Sequence, residues 1–172
     1  NIYNLLIKKI DLGNSIQKTD IKNLDIIGSN VNLSGLEVET ANDSDRAFVL
    51  KQILDRRKED LLAKYDNIFI DCPPSLSLLT VMALVASDEL IVPLQTEFFA
   101  LEGITQLVKT IDRIKVNLNP NLKVRGILLT MFDKRNKLSS QVDKEARSYF
   151  KQKVYKTVIP RNVRLSEAPS HG

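Results

Sequence analysis

The sequence predicts an α/β fold, a doubly wound, mostly parallel sheet with helices on both faces, and three observations predict it. From Asp20 onward, short β-branched runs alternate with amphipathic stretches, the order that builds parallel strands joined by crossover helices. The segment Asn67 to Asp71 (NIFID) is a continuous apolar run closed by a carboxylate, as expected of a central strand buried on both faces. The 172 residues, 43% apolar and 27% charged, have ordinary globular composition and suit a single domain spanning 1–172.

Taken in order, Asn23 to Ser29 (NLDIIGS) reads as a strand and Asp43 to Lys64 as a helix. Leu50, Leu54, Leu61 and Leu62 fall near one stripe of that helix, while Asp45, Arg46, Arg56, Arg57, Lys58 and Glu59 supply its wet side. The strand Asn67 to Asp71 follows. Pro73-Pro74 stop it from continuing as sheet or helix, and Ser75 can cap a helix running through Ala86. Glu89 to Leu94 is the next strand. Leu101, Ile104, Leu107 or Val108, Ile111, Ile114 and Leu118 then recur at three or four residues through a long helix, which Asn119-Pro120 ends. Val124 to Phe132 reads as a strand, Ser139 to Lys151 as a helix with Val142, Ala146 and Phe150 on one face, and Val154 to Ile159 as a final strand. Pro160 to Gly172 reads as extended.

Several classes are excluded on composition and spacing. The longest mainly apolar stretch, Leu76 to Ala86, is far short of the roughly 20 residues of a membrane-spanning helix. The start of the chain lacks the order of a secretory signal. The single cysteine, Cys72, cannot form an internal disulfide, which fits a reducing cytoplasm, and is expected as a small buried side chain. The six glycines are too widely spaced to form G-x-G or G-x-x-x-x-G-K, so these residues hold no glycine-rich phosphate cradle. Charge is uneven: net +4 overall, with 12 Lys or Arg against 4 Asp or Glu from Pro120 onward. A basic back half reads either as a surface for a polyanion or as solvated helix faces.

Ligands of parallel sheets sit beyond the carboxyl ends of the strands. That rule singles out Asp71 to Ser75, Pro93 to Glu97, Thr130 to Arg135 and Pro160 to Arg164. Asp71 is the candidate for chemistry, because an apolar strand delivering one carboxylate to its end is how nucleotide-hydrolysing folds support magnesium on phosphates. The same residue type also caps turns by local hydrogen bonding. A cysteine phosphatase would need an arginine six residues beyond Cys72, where Leu78 stands, and an aspartyl phosphotransferase would need a second Asp where Pro73 stands. His171, the one histidine, has no histidine partner for a triad or zinc site and reads as a loop residue.

Read together, YDNIFIDCPPSLSLLTVMALVASDELIVPLQTEFFALEG (Tyr65 to Gly103), LLTMFDKRNKLSSQV and TVIPRNVRLSEAPSHG resemble the ParA/Soj chromosome- and plasmid-partitioning ATPases, relatives of MinD within the deviant Walker A class of P-loop NTPases. The resemblance covers nearly the whole chain. It implies that Asp71 stands in the Walker B position, supporting magnesium through water, and that Pro73 and Pro74 begin the switch that senses the γ-phosphate of ATP. It implies that Met131, Asp133, Pro160, Arg161 and Asn162 lie around the base and ribose. It further implies dimerisation near Ser75 to Thr80 and Gln95 to Gly103 when ATP is bound, a ParB-like partner that stimulates hydrolysis, and a cytoplasmic, nucleoid-associated protein without a membrane anchor.

Non-specific double-stranded DNA binding is implied too, and it meets the basic back half, since such binding needs phosphate contacts rather than base contacts. Arg135, Lys137, Arg161 and Arg164 are the expected contacts, with Lys134 behind them. The family's K-G-G-x-G-K-[ST] loop and D-x-D-P-Q segment do not occur here. The expectation is therefore a chain truncated at the N-terminus, the carboxyl-terminal two thirds of a ParA-like domain, that alone neither binds ATP tightly nor hydrolyses it. The alternatives are a non-enzymatic DNA-binding or dimerisation module without the loop, a MinD-like cell-division regulator, or a sister ATPase with another cargo.

Overall fold

Two compact units divide the chain at Ser87/Asp88 in the computed structural model, which describes residues 1–73, 75, 77–97 and 100–168. The first unit is mainly helical: α1 (Ile2–Leu6), α2 (Leu12–Ser15), a hairpin of β1 (Gln17–Lys18) and β2 (Asp25–Ile26), α3 (Leu36–Glu39), α4 (Val49–Arg56), α5 (Lys58–Lys64) and α6 (Leu78–Ala86). Asn1 and Asp11 start α1 and α2 by accepting the N–H groups of Asn4 and Asn14 on their side-chain oxygens. Leu6, Leu36, Val49, Leu50 and Met82 form one apolar cluster, and Leu5, Leu12 and Leu61 a second.

Five expectations for this unit are corrected. The strand read over 23–29 shrinks to β2, two residues paired antiparallel with β1 and outside any parallel sheet. Within it Asp25 accepts the Tyr65 hydroxyl at 2.5 Å and pairs with the Lys18 and Lys64 ammonium groups, while Leu24 and Ile26 stay exposed. The helix read over 43–64 is two helices, because Arg57 leaves helical geometry (φ −118°, ψ 20°); Leu50 and Leu61 stay buried and Leu62 faces water.

The segment 67–71 is not a buried strand. Phe69 is 84% exposed, Ile68 is exposed, and no strand among the described residues pairs with it. An apolar run becomes a strand only where a neighbour takes up its backbone N–H and C=O groups, and within this unit none does. Cys72, expected buried, is exposed in the same unpaired stretch. The following helix begins at Leu78, with Ser77 rather than Ser75 at its N-cap; the Ser75 carbonyl accepts the Thr80 hydroxyl at 2.6 Å.

The second unit carries the parallel α/β layer. Its elements are β3 (Glu89–Gln95), α7 (Ala100–Asn117), β4 (Lys123–Phe132), α8 (Lys137–Phe150), β5 (Val154–Pro160) and α9 (Val163–Glu167). The sheet order is β3-β4-β5, all parallel, with α7 and α8 as the crossovers. The period-two pattern puts Val92, Leu94, Ile127 and Leu129 into one core with Ala100 and Ile104 of α7, Val142 and Ala146 of α8, and Val154. Gly126 allows β5 to close on β4: a Cβ there would lie 2.7 Å from the Tyr155 ring. The expectation that 160–172 runs extended is corrected by α9, which starts because the Asn162 side chain accepts the Arg164 N–H at 2.9 Å. His171 lies outside the described residues.

Candidate functional site

Parallel strands align their carboxyl ends, so the chain leaving β3, β4 and β5 converges on one edge of the sheet. A cleft of about 730 Å³ opens there, lined by Phe132, Asp133, Lys134, Arg135, Val158, Pro160, Arg161 and Val163. Apolar walls with a few charged groups in this size range are what small-molecule sites have in common.

The loop from Met131 to Asn136 shapes one wall. Met131 has φ 53°, a left-handed conformation that side chains other than glycine seldom adopt. The Phe132 carbonyl accepts the Arg161 N–H at 3.0 Å and ties this loop to the end of β5. Asp133 accepts three hydrogen bonds from Arg135: the backbone N–H at 3.0 Å, Nε at 3.1 Å and Nη2 at 2.9 Å. Those bonds, with the positive charges of Arg135 and Arg161, pull the Asp133 carboxyl from 3.8 down to about 2. The Asp133 carbonyl accepts the Asn136 N–H at 3.0 Å, and Asn136 in turn caps α8 by accepting the Leu138 N–H.

Beneath the loop, Thr96 and Ser139 are both 2% exposed. The Thr96 N–H donates to the Thr130 carbonyl at 3.2 Å. Its hydroxyl lies 3.1 Å from Ser139 Oγ, 3.3 Å from the Met131 carbonyl and 3.5 Å from the Thr130 carbonyl, and the Ser139 hydroxyl donates to the Thr96 carbonyl at 3.4 Å.

Of the residues singled out from sequence, the cleft brings together Asp133, Lys134, Arg135, Pro160 and Arg161. Met131, Asn162, Lys137 and Arg164 are near it in sequence but do not line it; Lys137 and Arg164 are exposed. Asp71 and Pro73 belong to the first unit, both exposed, and Pro74 lies outside the described residues. Partial shielding from water by neighbouring residues and the Asp71 carboxylate raise the pKa of the Cys72 thiol, which disfavours a thiolate there. Sequence reasoning missed Thr96 and Ser139. Pro93 to Glu97 stood out by its place after a strand, but a threonine on an exposed turn and one inside a core have the same local sequence. The apolar walls Phe132, Val158 and Val163 were likewise legible only as strand or tail residues.

Residues 1–124 match the AAA domain family. Over 171 residues the chain is 48% identical to the sporulation initiation inhibitor protein Soj of Bacillus subtilis (strain 168), an alignment covering 99% of this chain and 66% of that protein. It is 47% identical over 171 residues to the chromosome partitioning protein ParA of Caulobacter vibrioides (strain NA1000 / CB15N), covering 99% of this chain and 63% of that one. The chain thus spans less than two thirds of the length of these curated relatives. Among solved structures, cobyrinic acid a,c-diamide synthase from Mycobacterium smegmatis with bound ADP and magnesium shares the fold at a TM-score of 0.84 and 31% identity, covering 94% of this chain and 64% of that one. With a parallel α/β layer, a cleft at the carboxyl ends of its strands and near-half identity to proteins of one kind, the chain belongs to the Soj/ParA family of chromosome-partitioning ATPases, within the P-loop NTPases.

Proposed function

We propose that the protein acts as an ATP-dependent partitioning switch in the cytoplasm and on the nucleoid: ATP binding drives dimerisation and non-specific association with double-stranded DNA, and hydrolysis stimulated by a ParB-like partner releases it. The observation that carries this reading is the cleft beyond β4 and β5, whose Phe132, Val158 and Pro160 walls suit the faces of a base and whose Asp133 suits ribose hydroxyls. In this reading Met131, Asp133, Pro160, Arg161 and Asn162 surround the nucleoside. Arg135, Lys137, Arg161 and Arg164, with Lys134, face DNA phosphates.

Asp71 is the carboxylate for magnesium. It is exposed, and among the described residues no group of three or more His, Cys, Asp or Glu is gathered to hold a metal. A lone carboxylate suits magnesium, which keeps several waters and takes one or two carboxylates together with substrate phosphates. Bound magnesium would neutralise charge on the phosphates. Pro73 and Pro74 follow Asp71 as the switch. These 172 residues contain no glycine-rich phosphate loop, so by themselves they neither bind ATP tightly nor turn it over.

The test takes the protein as its cell makes it, determines its intact mass, and measures magnesium-dependent ATP turnover and retention on duplex DNA. We expect ATP-dependent DNA retention and turnover that Asp71→Ala abolishes. DNA binding or dimerisation without any ATP binding would replace this reading with a non-enzymatic module. ATP-dependent binding to anionic vesicles in place of DNA would replace it with a MinD-like regulator.

A further inference from the structure

We propose that Thr96 and Ser139 are positioning residues for the cleft, holding Met131 in its left-handed conformation and thereby setting where Phe132, Asp133 and Arg135 stand against Pro160 and Arg161. This rests on the reading of the cleft as the nucleoside site.

Successive carbonyls of a strand point to opposite sides. At the end of β4 they do not: the carbonyls of Thr130 and Met131 lie 3.5 and 3.3 Å from the same hydroxyl, that of Thr96. The φ of 53° at Met131 is the rotation that brings the second carbonyl round. A residue without glycine's freedom stays in that region when its surroundings over-determine it. Here the surroundings are a buried hydroxyl pair. The Thr96 hydroxyl has one proton, given to the Met131 carbonyl or to Ser139 Oγ, while the Ser139 hydroxyl donates back to the Thr96 carbonyl.

The pair joins three segments that converge on the cleft. Thr96 follows β3, Met131 is the last residue but one of β4, and Ser139 sits in the first turn of α8, just after the Asn136 cap that closes the Asp133 turn. Neither hydroxyl residue lines the cleft. Without the pair, Met131 relaxes toward ordinary extended geometry, its carbonyl swings outward, and the wall from Phe132 to Arg135 shifts. A merely structural pair would stabilise the fold without affecting which base is held.

The protein as its cell makes it, with Thr96→Val, Thr96→Ser and Ser139→Ala, is titrated with ADP and with GDP in the presence of magnesium, and the thermal midpoint of each variant is recorded. We expect Thr96→Val to weaken ADP binding about tenfold and to reduce the preference for ADP over GDP, as a small misplacement of positioned groups does. Thr96→Ser should restore both, and Ser139→Ala should fall between. Unchanged ADP affinity and ADP-to-GDP ratio in Thr96→Val overturn the proposal and leave the nucleoside reading standing. Where that variant does not fold, the same result in Ser139→Ala decides in the same way. If the unaltered protein binds neither nucleotide, the nucleoside reading fails, and this proposal with it.

Discussion

Arg135 has two tasks at the residue scale. Its guanidinium is forked onto Asp133 through Nε and Nη2, yet its side chain is 90% exposed. Such a pair is screened by water and salt and contributes little to stability. What it does strongly is hold the carboxylate ionised. The folded pKa of Asp133, about 2, lies below the ordinary 3.8, so its contribution to stability is complete above pH 3.8 and is lost as the pH falls through about 2. In a carbon-detected NMR titration we expect a midpoint near 2 for Asp133, rising toward 3.8 in Arg135→Ala. The rise stays incomplete because the backbone N–H of residue 135 still donates to the carboxylate. An unmoved midpoint would give the lowering to the backbone N–H of residue 135 and to Arg161 instead of the guanidinium of Arg135. For DNA, the fork means that Arg135 must be shared between Asp133 and any phosphate it meets.

Among the elements, β4 and β5 set the geometry of the cleft, and one glycine decides how closely they lie. A Cβ at Gly126 would sit 2.7 and 2.9 Å from the Tyr155 ring and 3.0 Å from the Lys153 carbonyl. The ring can rotate away; the carbonyl is backbone and cannot. Gly126→Ala should therefore destabilise the fold by about 1–3 kcal/mol, the usual cost of overpacking, read as a lower urea midpoint at unchanged slope. A midpoint equal to the parent's would mean that β5 yields freely. Whereas α9 was read as extended, the strands of the second unit and its helices α7 and α8 were legible in sequence to within a residue or two, because their apolar periods agree with a single core. The elements of the first unit were not: NIFID has strand composition but finds no ladder there, and the break at Arg57 leaves no mark in a helical charge pattern.

At the scale of the whole molecule, charge is the property that matters most. The 12 Lys or Arg and 4 Asp or Glu from Pro120 onward all belong to the second unit, together with every proposed DNA contact. Non-specific duplex binding then depends on counterion release, with each neutralised phosphate contributing roughly 0.9 to the slope of log K against log salt. Arg135→Glu combined with Arg164→Glu should lower the affinity of the ATP-loaded protein for duplex DNA and reduce that slope by roughly 2, measured by salt titration. An unchanged affinity and slope would place the DNA surface elsewhere. Among the described residues no helix is long and apolar enough to cross a membrane.

The sequence by itself determined the alternation of strands and helices, the lack of any glycine-rich phosphate loop within these residues, the uneven charge and, through long motifs such as IPRNVRLSEAPSHG, the family. These are properties of periodicity and residue order, which do not depend on what is adjacent in space. Only the tertiary structure decided that Phe132, Val158 and Val163 wall the cleft, that Thr96 and Ser139 are buried beneath it, and that Phe69 and Cys72 are exposed. Burial and hydrogen bonding belong to pairs of segments, and a strand-like run such as 67–71 is a strand only where a second strand completes its hydrogen bonds.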